Sequence, residues 1–287
     1  MGKESYHSKM TYGTSEFPFA FFYDEADRYK QGVIGWHWHD EIEFIYVLSD
    51  HVICSIGADQ FELHAGDGMF INHSILHRFE ICSSGKMLSL VFLPRFIASP
   101  KTAIFSSFIQ PVLEANLYYQ FLSNDDPEHS KVLKKIYAAS QAIQEDSKLR
   151  ELNTYIAALD MWRTFYICFI DDKLFPKRSK FIKTQNRIQL MIDFIEMNYT
   201  TDISVEDIAG AANISKSEAG RCFDELLRVS PLKYLNSYRL SVAVKLICET
   251  EEPISMIASA VGFNSNTYFT RLFHKQYGMT PIQMRNQ

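Results

Sequence analysis

The sequence has few cysteines, and none of them belongs to a paired motif. The five residues Cys54, Cys82, Cys168, Cys222 and Cys248 are scattered along 287 residues, with no CxxC pair among them. This spacing excludes a zinc ribbon or dithiol redox motif that could be identified from sequence, and it is typical of proteins in a reducing cytoplasm. We therefore expect a cytoplasmic protein.

Long hydrophobic runs are also lacking. The densest apolar stretches, at 88–93 and 165–170, are far shorter than the roughly 18–20 residues that a membrane helix needs. Residues 1–13 contain no apolar stretch typical of a secretory signal, so neither export nor a membrane partner is expected. A hydrophobic content of 47% with 22% charged residues excludes a disordered chain, and the length predicts about two domains.

Charge is distributed unequally along the chain. Residues 1–172 contain 14 Lys and Arg against 23 Asp and Glu, whereas residues 173–287 contain 15 against 11, for a net charge of −5 overall. A basic back half is a candidate for contact with a polyanion.

The front of the chain, within predicted domain 1–100, has the pattern of a β-barrel or sandwich. Short aromatic and β-branched runs in 17–94 alternate with turn signals, which is typical of regularly spaced strands. In the run at 41–48, Glu43 and Ile45 share one face and Phe44 and Tyr46 share the other. Both faces become apolar toward its end, which predicts a strand covered on both sides.

Residues 101–172 are predicted to be helical, with two apolar stripes at helical spacing. One stripe contains Val132, Leu133, Ile136, Tyr137 and Ile143. The other contains Leu152, Tyr155, Ile156, Leu159, Trp162 and Tyr166. Such stripes need a partner surface, either the β domain or a second chain, and we predict that they form a homodimer interface.

Residues 173–187 are predicted to be a basic linker, with six Lys and Arg, no acidic residue and one proline. The following domain, 188–287, contains an internal repeat: Ser215 and Arg221 align with Ser265 and Arg271, 50 residues later. Self-similarity at this period predicts two copies of one supersecondary unit.

Each repeat has the features of a helix-turn-helix (HTH). In the first, helices are predicted at 205–212 and 216–227, with Asn213 in the turn; in the second, the second helix is predicted at 266–277, with Gly262 in the turn. Ser204 with Asp207 and Ser215 with Glu218 match capping boxes. A helix at 232–249, about 27 Å long, could separate the two recognition helices by about one DNA turn.

Residues 188–285 resemble the AraC/XylS-type DNA-binding domain. The motifs are ISVEDIA at 203–209, SPxxYL at 230–235, RL at 239–240, IAxxVGFxS at 257–265, YFxRxF at 268–273 and GxTP at 278–281. The resemblance implies a bacterial transcription regulator, with RNA polymerase as a partner if it is an activator. Arg228 departs from the family pattern, because a glycine, like Gly278 in the second repeat, is usual there.

The predicted partner of this domain is double-stranded DNA. The residues expected to contact it lie at the start of the second helix of each unit: Lys216, Ser217, Arg221, Asn266, Thr267, Thr270 and Arg271. The set in the second unit has more base-reading groups, since Ser217 is short and Gly220 has no side chain.

The front domain contains an HxHxxxE motif, formed by His37, His39 and Glu43, and a later His77. On a barrel the first three share strand parity, so we expect all four to cluster. This resembles the cupin fold, whose metal enzymes use this pattern, and also the sensor domains of AraC-type regulators. Three histidines and a glutamate suit a divalent metal, but hydrogen-bonded residues at the barrel mouth are the alternative.

We therefore predict an α+β chain: a cupin-like β-barrel followed by helices, then an all-α domain with two HTH units. We expect a regulator of transcription that is not an enzyme and needs no cofactor. A small polar effector, such as a sugar, is expected to bind in the barrel and to switch it. The predicted effector pocket contains Tyr23, Trp36, His37, His39, Glu43, Tyr46 and His77. The alternative is a metal-dependent cupin enzyme or metal sensor fused to a DNA-binding domain, with His37, His39, Glu43 and His77 as ligands.

Overall fold

The computed structural model of the protein describes residues 12–29, 32–57, 59–115, 117–170 and 179–286. Contacts divide the chain into two units, with the boundary between Arg178 and Ser179. Among the described residues, no helix combines the length and apolarity that a membrane crossing requires.

The described part of the first unit contains nine strands. They are β1 (Phe19–Glu25), β2 (Val33–His37), β3 (Ile42–Ser49), β4 (His51–Ile56), β5 (Asp59–His64), β6 (Gly68–Ile71), β7 (His77–Ile81), β8 (Lys86–Phe92) and β9 (Tyr119–Leu122).

These strands form two antiparallel sheets facing each other. The five-stranded sheet has the order β1-β8-β3-β6-β9, and the four-stranded sheet has the order β2-β7-β4-β5. In β3, side chains of opposite parity, such as Phe44 and Ile45, are fully buried, so both faces of this strand are covered as predicted. The predicted cupin-like β fold is confirmed.

Three helices of this unit follow β8, and the strand β9 lies between the first and the second of them. They are α1 (Gln110–Glu114), α2 (Pro127–Gln144) and α3 (Arg150–Phe169). The prediction of a helical segment over 101–172 was wrong for β9, which pairs with β6 at the edge of the first sheet. The barrel therefore does not end at residue 100, because this short strand returns to it.

Helices α2 and α3 cover the outer face of the five-stranded sheet. Leu133 and Ile136 of α2 and Phe165 of α3 are buried in one core with Phe44 and Phe70 of the sheet. Most residues of the two predicted stripes are thus buried or partly buried within the chain, which corrects the reason given for dimerisation. The side chains left exposed on α3 include Leu152 (54%), Ile156 (56%) and Ile167 (53%).

The second unit is helical. Its helices are α4 (Ser179–Asn198), α5 (Val205–Ala211), α6 (Lys216–Leu227), α7 (Pro231–Glu249), α8 (Ile254–Ala260), α9 (Asn266–Tyr277) and α10 (Pro281–Arg285). The predicted linker at 173–187 was wrong from Ser179 onward, where the chain is already in α4. Residues 173–178 lie outside the described residues.

The caps and turns of the two HTH units follow the sequence signals. Ser204 and Asp207 form the predicted capping box, and Ser215 and Ser265 cap α6 and α9. Asn213 (φ 52°) and Gly262 (φ 87°) adopt the left-handed conformation in the turns. A carbon added at Gly262 would lie 2.3 Å from a backbone oxygen, so only glycine fits.

Arg228, where the resemblance led us to expect glycine, ends α6 in the left-handed conformation (φ 55°), as Gly278 (φ 73°) ends α9. A residue with a side chain is strained in this backbone conformation, whereas glycine is not.

Candidate functional site

Four polar side chains of the first unit converge between the two sheets. His37 ends β2 and His77 begins β7, where the two residues are direct cross-strand partners. His39 follows β2, and Glu43 lies on the inward face of β3. A ligand atom from each of the four lies within 4.8 Å of the others, so the expected clustering of His37, His39, Glu43 and His77 is found. We call these four residues the barrel cluster.

The carboxylate of Glu43 is the centre of the barrel cluster. Its Oε2 lies 3.1 Å from Nε2 of His77 and 3.4 Å from Nε2 of His39. Burial alone would raise the pKa of Glu43, but His39 and His77 outweigh it and hold the pKa well below its usual value. Glu43 is therefore a buried carboxylate anion.

The three imidazoles are oriented by the backbone. Nδ1 of His37 lies 2.8 Å from the Gly35 carbonyl and Nδ1 of His77 lies 2.7 Å from the Ile75 carbonyl. Nδ1 of His39 is likewise 3.1 Å from a backbone oxygen. Because a carbonyl only accepts hydrogen bonds, each Nδ1 donates one, which leaves Nε2 of each ring to interact within the cluster. Burial, together with His77 and His39, lowers the pKa of His37 to about 3, so this ring is neutral.

The cluster has unsatisfied polar atoms. Although Oε2 of Glu43 and Nε2 of His77 lie 3.1 Å apart, neither atom makes a hydrogen bond of regular geometry with any described residue. A buried polar atom without a partner is costly, so such atoms mark a place where a bound group would complete the site.

Sequence reasoning missed other residues around the cluster. The Tyr12 ring lies 5.0 Å from the His39 ring, at a position before the first strand that carries no pattern signal. Asp24 is buried and accepts a hydrogen bond from Tyr29, and burial raises its pKa. The sequence did offer a signal for Asp24, because it is an acidic residue in the apolar run of β1 and shares a face with Phe22.

Two residues of the predicted effector pocket lie elsewhere. Tyr23 and Tyr46 both pair with Leu88, which puts them on the outer face of the five-stranded sheet, opposite Glu43. The Tyr46 ring lies 5.6 Å from Tyr137 of α2, where a cleft of about 210 Å³ opens. Their assignment to the barrel pocket was wrong, because parity along the strand excludes it. Trp36 is half-buried on β2, beside His37.

The predicted DNA-contacting residues lie at the starts of α6 and α9. Six of the seven are exposed: Lys216, Ser217, Arg221, Asn266, Thr267 and Arg271. The seventh, Thr270, is partly buried. Their roles stay predictions, but each lies where a helix of this motif would meet a major groove.

The basic residues of α6 are engaged with carboxylates. Nη2 of Arg221 lies 2.5 Å from Oε2 of Glu218, and the other carboxylate oxygen is 2.9 Å from Nη1 of Arg187 on α4. Lys216 is 2.9 Å from Glu206 on α5. Glu218 therefore does not complete a capping box as predicted: Ser215 caps the helix, but the Glu218 side chain bonds to Arg187 instead.

The guanidinium of Arg271 on α9 has a different environment. It lies 5.3 Å from the ring centre of Tyr268, whose hydroxyl accepts a hydrogen bond from Asn236 on α7. An aromatic ring beneath a guanidinium positions it without neutralising its charge. The fold thus leaves the two recognition helices electrostatically unequal.

Comparisons with known proteins match both units. Residues 28–93 match the cupin domain family, and residues 208–287 match a helix-turn-helix domain family. The chain is 31% identical over 275 residues to an uncharacterised HTH-type transcriptional regulator, YdeC of Bacillus subtilis, covering 95% of this chain and 93% of the relative. It is also 29% identical over 167 residues to the lactose operon transcription activator of Staphylococcus xylosus, covering 58% and 57% of the two chains.

Solved structures give two kinds of match. An AraC-type regulator domain from Chromobacterium violaceum is 28% identical, covering 37% of this chain and 95% of that one with a TM-score of 0.35. ToxT from Vibrio cholerae is 14% identical, covering 94% of this chain and 98% of that one with a TM-score of 0.43.

Proposed function

Because the chain belongs to the AraC-type HTH transcription regulators and carries an N-terminal cupin domain, we propose that a ligand at the barrel cluster controls its DNA binding. The observation that carries this proposal is the buried, unsatisfied barrel cluster, present in the same chain as two HTH units with exposed recognition helices. The relatives are regulators, and we accordingly propose no catalytic role.

Base reading is assigned mainly to α9. Asn266 supplies an amide that can read adenine, Thr267 and Thr270 supply hydroxyls and methyls, and Arg271 supplies a guanidinium that can read guanine. Arg271 rests on the Tyr268 ring, which reduces the conformational entropy that it would lose on binding.

Helix α6 has the weaker reading role in this proposal. Arg221 and Lys216 must leave Glu218 and Glu206 before they can contact DNA. The Glu218 carboxylate at the same helix start also repels phosphate. We therefore expect fewer constrained base pairs under Lys216, Ser217 and Arg221 than under α9.

The ligand of the barrel cluster is proposed to be a small polar molecule. Imidazoles and a carboxylate near the rings of Tyr12 and Phe79 suit hydroxyl groups, as in a sugar. A relative of this chain is a lactose operon activator, which agrees with this class of ligand. The ligand must bind one conformation of the protein better than another, since otherwise it shifts no equilibrium.

A second candidate, metal sensing, is favoured by the orientation of the imidazoles. Three rings whose Nδ1 atoms are fixed by backbone carbonyls, together with a buried carboxylate, match the donor set of a divalent transition metal. His37, His39, Glu43 and His77 would hold the ion, which would supply positive charge beside Glu43. The unsatisfied atoms of Glu43 and His77 fit such an ion.

The test begins with selection of bound fragments from the fragmented genome of the source organism, which identifies an operator. Candidate metabolites, sugars first, are then added to operator-binding titrations. We expect one of them to change operator affinity in the wild type. Glu43→Gln should abolish this response while binding the operator normally, and Glu62→Gln, an exposed change of the same kind on β5, should retain it. A response that persists in Glu43→Gln would remove the barrel cluster from the switch.

Metal analysis separates the two candidates. A metal sensor should contain close to one divalent ion per barrel cluster, lost in Glu43→Gln, and its operator affinity should change on treatment with a chelator. A metal content that is the same in wild type and Glu43→Gln, together with a wild-type response to a metabolite, supports the organic effector alone.

We further propose that the regulator acts as a homodimer in the cytoplasm. The exposed apolar residues of α3, including Leu152 and Ile156, are the surface for the second chain. If it activates transcription, as the lactose operon activator of Staphylococcus xylosus does by its name, RNA polymerase is a further partner.

A further inference from the structure

A second group of metal-ligating side chains lies outside the barrel cluster. Asp50, His51 and Cys82 each offer one ligand atom, and these atoms lie within 4.8 Å of one another. His77 begins β7 and Cys82 follows its end, so the two groups are about 16 Å apart along the strand. We call Asp50, His51 and Cys82 the rim group.

The fold brings the rim group together by two turns that pass between the sheets. Asp50 is the turn residue between β3 and β4, and Cys82 begins the turn from β7 to β8. Strands β3 and β8 are neighbours in one sheet, and β4 and β7 are neighbours in the other. The two turns therefore meet at one end of the barrel, where the Cys82 amide donates to the His51 carbonyl (3.4 Å).

The side chains of the rim group are oriented toward each other. Asp50 adopts a left-handed backbone (φ 54°), and its carboxylate lies 2.8 Å from Nδ1 of His51. The same carboxylate accepts a hydrogen bond from Ser84. The carboxylate of Asp50 is thus fixed between the β4 strand and the β7–β8 turn, facing the ring of His51.

The donor set specifies the class of ligand. A thiolate, an imidazole and a carboxylate together are typical ligands of Zn²⁺, and hard cations such as Mg²⁺ disfavour the sulfur. Three protein ligands leave a fourth position for water or for His64, the cross-strand partner of His51 with its ring 6.2 Å away.

We propose that Asp50, His51 and Cys82 bind a zinc ion that links the β3–β4 and β7–β8 turns. Binding releases the thiol proton of Cys82 to solvent, and the resulting thiolate donates to the metal. The ion ties the two sheets together at the rim of the barrel, and it does not depend on any ligand of the barrel cluster.

Cobalt(II) is the probe for this site in the full-length protein. Only a thiolate ligand gives cobalt an intense near-ultraviolet charge-transfer band, and the barrel cluster contains no thiol. We expect the band in the wild type, and we expect Zn²⁺ to remove it by displacing cobalt. Cys82→Ser and His51→Gln should lose the band, each with an unchanged far-ultraviolet circular dichroism spectrum.

Two control variants separate the rim group from other sites. Cys248→Ser removes an exposed thiol in the other unit, and Glu43→Gln removes the carboxylate of the barrel cluster; both should keep the band. Absence of the band in the wild type, its persistence in Cys82→Ser, or its loss in Cys248→Ser would each overturn the proposal. A wild-type protein that shows the cobalt band but no effector response would reject the proposed function and leave the zinc proposal standing.

Discussion

Arg221 and Glu218, one turn apart on the first recognition helix, form an ion pair of 2.5 Å at the position where that helix would enter DNA. Arg187 of α4 shares the same carboxylate. In the proposed mode of DNA binding, phosphates would compete with Glu218 for both guanidinium groups. No carboxylate is described in contact with Arg271, the equivalent residue of the second repeat, among residues 179–286.

Glu218→Gln should strengthen DNA binding of every sequence. Without its carboxylate, Arg187 and Arg221 become available to phosphates, so the slope of log affinity against log salt should steepen by about two, roughly one for each guanidinium. The measurement is a salt titration of binding to an arbitrary duplex. Asp224→Asn, the same charge change farther along α6, is the control and should have a smaller effect. Equal slopes in Glu218→Gln and wild type would show that the ion pair does not limit binding.

Arg271→Ala should lose roughly 1–3 kcal/mol of operator binding and relax the preference at one or two base pairs. Arg221→Ala should lose less, because that guanidinium already interacts with Glu218. Operator affinity and base preference of both variants, measured at one salt concentration, test this. A larger loss for Arg221→Ala would reverse the assignment of the two helices.

Lys183→Ala should weaken binding to all sequences alike. Lys183 is exposed at the start of α4, in the basic stretch before the HTH units, and its expected partner is phosphate. The salt slope should fall by about one unit without a change in base preference. A change in base preference would mean that Lys183 reads bases. We expect the same result for Lys180→Ala, although the Lys180 side chain is not among the described ones.

Dimerisation should depend on the exposed face of α3. Replacing both Leu152 and Ile156 by Asp should give a monomer, because burying two unpaired carboxylates in an interface is costly. Light scattering at micromolar concentration measures this. Met256→Asp, at an equally exposed apolar residue of the second unit, should remain a dimer. A monomeric wild type with intact DNA binding would exclude the dimer.

The helical unit was predictable in detail from the sequence. Its caps and turns are local: Ser215 and Ser265 bond to nearby amides, and Asn213 and Gly262 tolerate the left-handed turns. Helices α6 and α9 accordingly begin and end where the sequence indicated. The role of Glu218 was less predictable, because the capping pattern is local whereas Arg187, its actual partner, lies 31 residues away.

The barrel site was predictable only in its centre. Strand parity and one motif brought His37, His39 and Glu43 together with His77. The site's surroundings depend on which strands pair, and this is not encoded locally. Strand parity already places Tyr46 on the face of β3 opposite Glu43, whereas β9 joins the sheet although its neighbours in sequence are helical.

A base-substitution scan of the selected operator measures whether α6 and α9 read bases unequally. Every base pair of both half-sites is replaced in turn, and the affinity of the wild-type protein is measured at constant salt. Substitutions under Asn266, Thr267 and Arg271 should cost about 1–3 kcal/mol each, and those under Lys216 and Arg221 should cost less. Equal sensitivity of the two half-sites, or greater sensitivity under α6, would contradict it.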